Sequence, residues 1–172
     1  MDLGIHCIDL AEYLLGSEID TVSAFCDTKT FSYDIDDSAN VMLKNKNGTV
    51  IYINNHFNVP DDAVSSRIEI FGTKGSLIAD GTIGQTETGV LNCIFSNQEE
   101  YSAIQERATS LTEQLMPENG NLYTKELQSF SDSVIRGTEV EVPFTAAVRA
   151  QEIIEAAYRS SSSGRICKLE EE

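Results

Sequence analysis

The sequence predicts an α+β domain, in which a largely antiparallel, open-faced sheet is covered by helices on one face. Three observations support this prediction. An apolar helix opens the chain, short segments of alternating apolar and polar residues follow, and two segments with helical periodicity precede a last short strand. At 172 residues the chain is long enough to bury a sizeable core, so we expect a single domain over 1–172.

The first helix is predicted to end at Leu15, because Gly16 can adopt the left-handed conformation of a C-cap. A strand, a second strand, an Asn-Gly hairpin turn and a third strand are expected next. Beyond a polar loop, the pattern predicts a strand pair joined by a turn at Gly72 to Gly75, and then one more strand. The predicted strands are Ile19 to Lys29, Ser38 to Lys44, Thr49 to Phe57, the pair within Arg67 to Asp80, and Thr88 to Phe95.

The stretch Gly72 to Gly75 is predicted to be a hairpin turn and not a phosphate loop, since no helix follows it and neither Gly-rich nucleotide pattern is present. The region from Asn97 to Gly120 is polar and poorly periodic, so we expect irregular structure there.

Helical periodicity begins at Asn121 and ends at Gly137. Thr145 is predicted to cap a further helix that ends near Gly164, and Arg165 to Leu169 is predicted to be an edge strand. The uncovered face of the sheet carries alternating Ile, Val and Tyr residues, which favours burial against a partner.

Composition excludes several classes of partner. The 12 Lys and Arg against 28 Asp and Glu give a formal charge of -16, which repels nucleic acids and anionic membranes. No stretch approaches the ~18 apolar residues of a membrane span, and no secretion signal is present. The four cysteines are scattered without zinc-ligand spacing, which is typical of a reducing compartment and predicts a cytoplasmic protein. They are Cys7, Cys26, Cys93 and Cys167.

The first helix contains a polar stripe. Asp2, His6, Asp9 and Tyr13 fall within roughly 60° of one another on a helical wheel, while apolar residues occupy most of the rest. A helix that is apolar almost all round is usually buried, and burying polar groups is costly unless they are paired or used. We therefore expect the polar side chains of the stripe to be paired within the protein or used in its function.

Three interpretations of the stripe are open. In a structural network, Asp2 would cap the helix and Asp9 would bond a neighbouring strand. A metal site would need more ligands than this carboxylate, imidazole and carboxylate, so no metal is predicted. In acid–base chemistry, the positive helix end disfavours the imidazolium of His6 and Asp2 favours it, which suits His6 to proton transfer near neutral pH.

Two further polar features lie outside the first helix. His56, the only other histidine, is either an edge residue or a substrate contact. The acidic run of Asp34, Asp36 and Asp37 is predicted to be a solvated loop.

The opening MDLGIHCIDLAEYLLG resembles the D-x-G-x-H-x-x-D motif, with its apolar run and Leu-Gly, that begins the C-terminal part of the Gfo/Idh/MocA family of NAD(P)-dependent oxidoreductases. Further similar segments follow in the family's order, so the resemblance spans almost the whole chain. They are RIEIFGTKGSL, YTKELQSFSDSVIRG and VRAQEIIEAAYRSSSSGRICKL. The fold that the resemblance implies is that of a glyceraldehyde-3-phosphate-dehydrogenase-like C-terminal domain.

In that family the N-terminal half is a Rossmann domain with a Gly-rich fingerprint and a Glu-Lys-Pro segment that carries a catalytic lysine. Neither pattern occurs in this sequence. The resemblance therefore implies a substrate-binding and oligomerisation domain without its Rossmann domain. NAD or NADP is then expected in the intact enzyme, and neither cofactor nor activity is expected for this chain alone.

Carried over by position, Asp2 and His6 match the family's catalytic aspartate and histidine. The resemblance implies that His6 handles the hydroxyl proton of a sugar, inositol or related polyol, while Asp2 binds a substrate hydroxyl. Asp9 is assigned to substrate positioning and His56 to substrate contact. A homodimer or tetramer through the sheet face is implied. The alternatives are a non-enzymatic binding or dimerisation module and a fragment that complements a separately encoded Rossmann chain.

Overall fold

The computed structural model describes residues 1–64, 66–84, 89–96, 111–116 and 120–169. Within these residues the chain forms three α-helices, a 3-10 turn at Asp61–Ala63 and eight β-strands. The helices are α1 (Asp2–Leu15), α2 (Leu122–Arg136) and α3 (Phe144–Ser163). The strands are β1 (Ile19–Asp27), β2 (Ser38–Asn45), β3 (Val50–His56), β4 (Arg67–Gly72), β5 (Gly75–Asp80), β6 (Val90–Phe95), β7 (Leu111–Leu115) and β8 (Cys167–Lys168).

The α+β class is confirmed, but the described strands form two sheets where one was expected. Sheet A has the order β3-β2-β1-β8 and sheet B has the order β4-β5-β6-β7, with antiparallel pairing throughout. The chain groups into two compact units, Met1–Pro60 with Glu141–Glu172, and Asp61–Val140. Alternation in sequence identifies strands but does not say which strands share hydrogen bonds, so the division into sheets was not predictable from it.

In the first unit, α1 and α3 cover one face of sheet A. Successive side chains of a strand point to opposite faces, and alternate residues of β2 accordingly point into the core. Residues of α3 that are three or four positions apart share one face of that helix and pack in the same core. The core includes Ile8, Ile19, Val22, Val41, Leu43, Ile153 and Ile154. Full burial of one such side chain contributes about 1.5–3 kcal/mol, so this apolar layer stabilises the unit.

The predicted helix ends are confirmed and one predicted start is wrong. Gly16, Gly137 and Gly164 each end a helix in the left-handed conformation. Helix α3 begins at Phe144, with Pro143 and not Thr145 in the capping position. The ring of Pro143 fixes its φ, its ψ of 154° is extended, and its carbonyl oxygen accepts a hydrogen bond from the Ala146 nitrogen, so the helix starts earlier than the threonine suggests.

In the second unit, β4 and β5 form the predicted hairpin, with Gly72 opposite Gly75. Gly75 has a φ of 151°, and a Cβ placed on it would lie 2.0 Å from the carbonyl oxygen of Ile94 on β6. Only glycine fits that close approach of two backbones. The predicted hairpin is therefore confirmed, and Gly75 also allows the close packing of β5 against β6.

The prediction of irregular structure from Asn97 to Gly120 is wrong at Leu111–Leu115. These residues form β7, which pairs with β6 from Leu91↔Leu115 to Phe95↔Leu111. All five residues are exposed, so the strand is held by backbone pairing and carries little of the apolar signal by which sequence analysis finds strands. Residues 97–110 and 117–119 of that predicted region lie outside the described residues.

The prediction of a solvated acidic run between β1 and β2 is confirmed at Asp34, which is exposed, and is wrong at Asp36 and Asp37. Asp37 is 1% exposed and Asp36 is half-buried. The Asp37 carboxylate accepts hydrogen bonds from the backbone N–H groups of Lys29, Thr30 and Phe31, at 2.7, 2.8 and 3.1 Å. Burial raises the pKa of Asp37, but these donors outweigh it and the pKa is lowered overall. An ionised Asp37 therefore closes the segment between the two strands.

Candidate functional site

Helix α1 presents its polar stripe to solvent. Gly4 and Ile8 are its buried residues and face the rest of the first unit, while Asp2, His6 and Tyr13 are exposed. The expectation that this helix is buried nearly all round is therefore wrong. Positions 4 and 8 lie about 100–180° around the helix from the residues of the stripe, so burying them turns the stripe outward.

Asp2, His6 and Asp9 lie along one side of α1 as predicted, with Asp2 and His6 exposed and Asp9 half-buried. Met1 and not Asp2 occupies the capping position, and it makes no side-chain capping bond. In the part of the chain that the structure describes, no hydrogen bond or ion pair engages these three side chains. The structural-network interpretation predicted such bonds, and the described residues supply none of them.

The glycine of the opening motif has a packing role. A Cβ at Gly4 would lie 3.2 Å from the Met1 Cβ and 3.5 Å from the Asn55 side-chain nitrogen on β3. The contact with Met1 is tight and the contact with Asn55 is an ordinary van der Waals distance, so glycine mainly avoids crowding against Met1 while the start of α1 packs beside β3. This packing justifies a residue that costs a helix interior about 1 kcal/mol relative to alanine.

The far end of α1 is anchored by Glu12. Its Oε1 accepts a hydrogen bond from the Ile19 backbone nitrogen at 2.6 Å and lies 3.8 Å from the Arg149 Nε. Arg149 also donates to the Ile19 carbonyl oxygen. Burial raises the pKa of Glu12 by more than the Ile19 N–H and Arg149 lower it, so the net pKa is raised. These bonds tie α1 to β1 and α3.

The structure does not bring His56 to the stripe. Ile53 and Asn55 of β3 point toward the helices, so His56, one residue further, lies on the opposite face of sheet A. Its Nδ1 lies 3.0 Å from the Ser38 Oγ across the β2–β3 pair. His56 therefore bonds a residue on the outer face of sheet A, and its role as a substrate contact stays a prediction.

The described residues offer no site for a resident metal or dinucleotide. Among them, no three His, Cys, Asp or Glu side chains are grouped to hold a metal ion. Dinucleotide sites form at the carboxyl ends of parallel strands, and every strand pair in the described ranges is antiparallel. A nicotinamide cofactor does not fit these residues.

Sequence reasoning missed two residues beside the site, Asp36 and Tyr158. The Tyr158 hydroxyl donates to the Asp36 Oδ1 at 2.5 Å, and the N-terminal ammonium of Met1 donates to the same oxygen at 2.8 Å. Met1 and Asp36 are 35 positions apart in the chain, and Asp36 and Tyr158 are 122 positions apart. No local pattern links them, so only the tertiary fold could show that they meet at the start of α1.

The fold and the site define a class of protein: an α+β domain that exposes a carboxylate and an imidazole on its first helix. Residues 1–169 match the sequence model of the oxidoreductase family's C-terminal alpha/beta domain, of the Gfo/Idh/MocA group. The chain therefore belongs to this family of oxidoreductase C-terminal domains, and the resemblance drawn from its motifs is confirmed.

Other oxidoreductases are similar to this chain in sequence or structure over nearly its whole length. Myo-inositol 2-dehydrogenase of Thermotoga maritima is 27% identical over 175 residues, which are 99% of this chain and 49% of that protein. The crystal structure of aldose-aldose oxidoreductase from Caulobacter crescentus, complexed with glycerol, has a TM-score of 0.76 at 22% identity. It covers 96% of this chain and 46% of the other.

An oxidoreductase from Agrobacterium radiobacter, solved with NAD⁺, L-tartaric acid and magnesium, has a TM-score of 0.68 at 19% identity. It covers 96% of this chain and 47% of the other. At these identities the solved structures show the shared fold. The chain spans about half the length of the curated relatives it matches.

None of the helices in the described part of the chain has both the length and the apolar character needed to cross a bilayer.

Proposed function

We propose that this chain is the substrate-binding half of an NAD(P)-dependent oxidoreductase that acts on a CH–OH group of a sugar, inositol or related polyol. The observation that carries the proposal is the exposed, unengaged pair of Asp2 and His6 on one side of α1, in a chain of this family. The names of the similar proteins, an inositol dehydrogenase and an aldose oxidoreductase, support the substrate class.

Oxidation of an alcohol removes a proton from oxygen and a hydride from carbon. In the proposed reaction, the imidazole of His6 accepts the hydroxyl proton, as a positioned general base does. Asp2 accepts a hydrogen bond from a neighbouring substrate hydroxyl, and its charge, four residues from His6, stabilises the imidazolium that forms. Asp9 is three residues further along the same side, where it can accept a bond from another hydroxyl and orient the ring.

The hydride acceptor is proposed to be NAD or NADP held by residues that the described chain does not contain, because its antiparallel strands offer no dinucleotide site. The chain alone is therefore proposed to be inactive. The four cysteines form no disulfide. That state agrees with the proposed cytoplasmic location.

We expect the 172-residue chain to bind polyols weakly at the stripe. Because it holds only two histidines, ring resonances of His6 and His56 can be followed separately by NMR. Titration with myo-inositol, glucose and glycerol to about 100 mM should shift the His6 ring signals and leave those of His56, on the opposite face of sheet A, unchanged. In Asp2→Asn the shift should weaken, since one hydroxyl acceptor loses its charge.

The matched measurement is calorimetric titration of the same sample with NAD⁺ and NADP⁺, where no heat of binding is expected. Stoichiometric cofactor binding would contradict the proposed division between the two halves. Shifts confined to His56, or none with any polyol, would contradict a polyol site at the stripe.

We also propose that the open face of sheet A is a contact between copies of this chain. The face turned away from α1 and α3 carries exposed large apolar side chains in neighbouring rows of the three adjacent strands. They are Phe25, Met42, Val50 and Tyr52. Apolar groups clustered in this way are typical of protein–protein contacts. The same face would suffice for the alternative of a non-enzymatic dimerisation module.

Tyr52→Lys should shift the chain from dimer or tetramer toward monomer, because it places a charge in the centre of the proposed contact. Light scattering after size-exclusion chromatography gives the mass directly. The matched control is Tyr13→Lys, since Tyr13 is also exposed, at 75% against 61% for Tyr52, but lies on α1. If both variants keep the mass of the parent chain, or if the parent chain is a monomer, the contact is not on this face.

A further inference from the structure

Gly4, Ile8 and Glu12 form one row along α1, because residues four positions apart lie on the same side of a helix. Gly4 and Ile8 are buried, and Ile8 belongs to the apolar core. Burial of apolar surface is non-directional, so it holds the helix on the first unit without fixing its angle. Glu12, at the end of the row, makes directional contacts. Among the described residues of α1, it is the one whose side chain bonds another element.

The contacts of Glu12 converge on the first residue of β1. Ile19 is fully buried, and its backbone N–H donates to the Glu12 Oε1 at 2.6 Å. The carbonyl oxygen of Ile19 accepts a hydrogen bond from the Nη2 of Arg149, on α3. Strand β8 pairs with β1 at Thr21 and Val22 and does not reach Ile19 in the described residues. Two side chains therefore bind the backbone groups of Ile19 where β8 supplies no partner.

Glu12 and Arg149 also attract each other. The Arg149 Nε lies 3.8 Å from the Glu12 Oε1, which makes an ion pair without a hydrogen bond. The two side chains are 18% and 23% exposed, so salt and water screen this pair less than a pair on the surface. The Arg149 Nη1 lies 3.4 Å from the Glu152 Oε2 on the same helix, which orients the guanidinium. Glu12 and Arg149 thus join α1, β1 and α3.

We propose that Glu12 and Arg149 are positioning residues, which fix the end of α1 to β1 and α3 and so set the angle of the helix. That angle decides where Asp2 and His6 lie. His6 is six residues before Glu12, which is about 9 Å along a helix that rises about 1.5 Å per residue. A turn of α1 about Glu12 by about 6° would therefore displace His6 by about 1 Å. Neither Glu12 nor Arg149 is assigned to contact the substrate.

The consequence for catalysis rests on the proposed function, in which Asp2 and His6 contact the substrate. Displacing a catalytic group by about 1 Å can cost about a hundredfold in rate, so a small turn of α1 lowers turnover even though no reacting group is removed. Substrate binding depends on the same side chains less steeply. Loss of either positioning residue is therefore expected to lower kcat more than it raises KM.

The direct test is the angle between α1 and sheet A in the 172-residue chain, measured from residual dipolar couplings of the backbone amides. In Glu12→Ala the helix should turn by about 6° or more relative to the parent chain. Exchange of the Ile19 amide hydrogen should rise about tenfold, because its acceptor is removed. Alanine is the best helix former, so α1 itself should persist. Arg149→Met, which keeps the apolar stem and removes the guanidinium, should turn the helix as well.

Glu12→Gln keeps an oxygen that accepts the Ile19 N–H and should restore most of the angle and of the protection. The matched control is Glu152→Ala, which removes the other carboxylate beside Arg149 and changes nothing on α1, so the angle should stay that of the parent chain. In the complete oxidoreductase, Glu12→Ala should lower kcat about tenfold with KM changed less than about threefold. Glu12→Gln should recover most of kcat. If Arg149→Met does not fold, Glu12→Ala decides alone.

A turn of less than about 6° in folded Glu12→Ala would overturn the positioning role. Failure of Glu12→Ala to fold would also overturn it, because the pair would then be needed for the fold itself. A turned helix with unchanged kcat, in an enzyme that His6→Asn inactivates, would overturn the catalytic consequence. If His6→Asn itself has no effect on turnover, the proposed function fails, and the dipolar couplings still decide whether Glu12 and Arg149 set the helix angle.

Discussion

His6→Asn in the complete oxidoreductase is expected to lower kcat/KM by about 10²–10⁴, the range for removal of a positioned general base. Asparagine keeps a polar side chain on an exposed helix position, so the fold should be unaffected. Asp2→Asn should cost less, because it leaves the proton acceptor in place and removes only a hydrogen-bonding charge. Steady-state kinetics with the polyol that is turned over fastest give both values.

The informative comparison is His56→Asn, the same substitution at the other histidine of the chain. Since His56 lies on the opposite face of sheet A, bonded to Ser38, we expect less than about a threefold change in kcat/KM. An equal loss from the two histidine variants would show that the site includes the other face of the sheet. Folded His6 and Asp2 variants with full turnover would favour the non-enzymatic module, and unfolding of both would favour a structural network.

Ile153→Ala is expected to cost about 2–5 kcal/mol of unfolding free energy, because it removes a fully buried side chain from the layer between α3 and sheet A. Ile153 is 0% exposed. Its neighbours in the core come from β1, β2 and α1, which are separate elements and cannot all move in to fill the space. Ile153→Val, which removes one methylene group, should cost about 0.5–1.5 kcal/mol.

Val148→Ala on the same helix is the control, since that side chain is 43% exposed and should cost less than about 1 kcal/mol. Urea unfolding followed by circular dichroism gives the free energy of unfolding of all three variants. Hydrogen exchange of the β1 amides serves as a separate probe of the first unit. An Ile153→Ala loss no larger than that of Val148→Ala would show that α3 does not pack on sheet A as described.

Most local structure could be predicted from sequence, because it follows from short-range signals. Glycines that end helices and alternation that marks strands act within a few residues. Short-range signals gave wrong predictions where an element depends on contacts with residues distant in the sequence, or where two capping residues compete. Leu111–Leu115 is exposed throughout and became a strand by pairing with β6, and Pro143 replaced Thr145 at the start of α3. Membership of the oxidoreductase family was also readable, because its motifs occur in order along the chain.

The helical period placed Asp2, His6 and Asp9 on one side of α1, since a helix of 3.6 residues per turn leaves no other arrangement. It could not say which way that side faces, because a helix apolar almost all round has no single buried side that its sequence prefers. The burial of Gly4 and Ile8 against the rest of the first unit decided that the polar side faces solvent.

The sequence alone therefore determined the class of fold, the family and the candidate catalytic pair, all of which depend on residue identity and spacing. Only the tertiary structure decided that strands divide into two sheets, that His56 bonds Ser38 on the outer face of sheet A, and that Asp36 meets Tyr158. Those outcomes depend on contacts between residues far apart in the chain. The physical reason is that burial and hydrogen bonding across such distances select one packing among several that the local pattern permits.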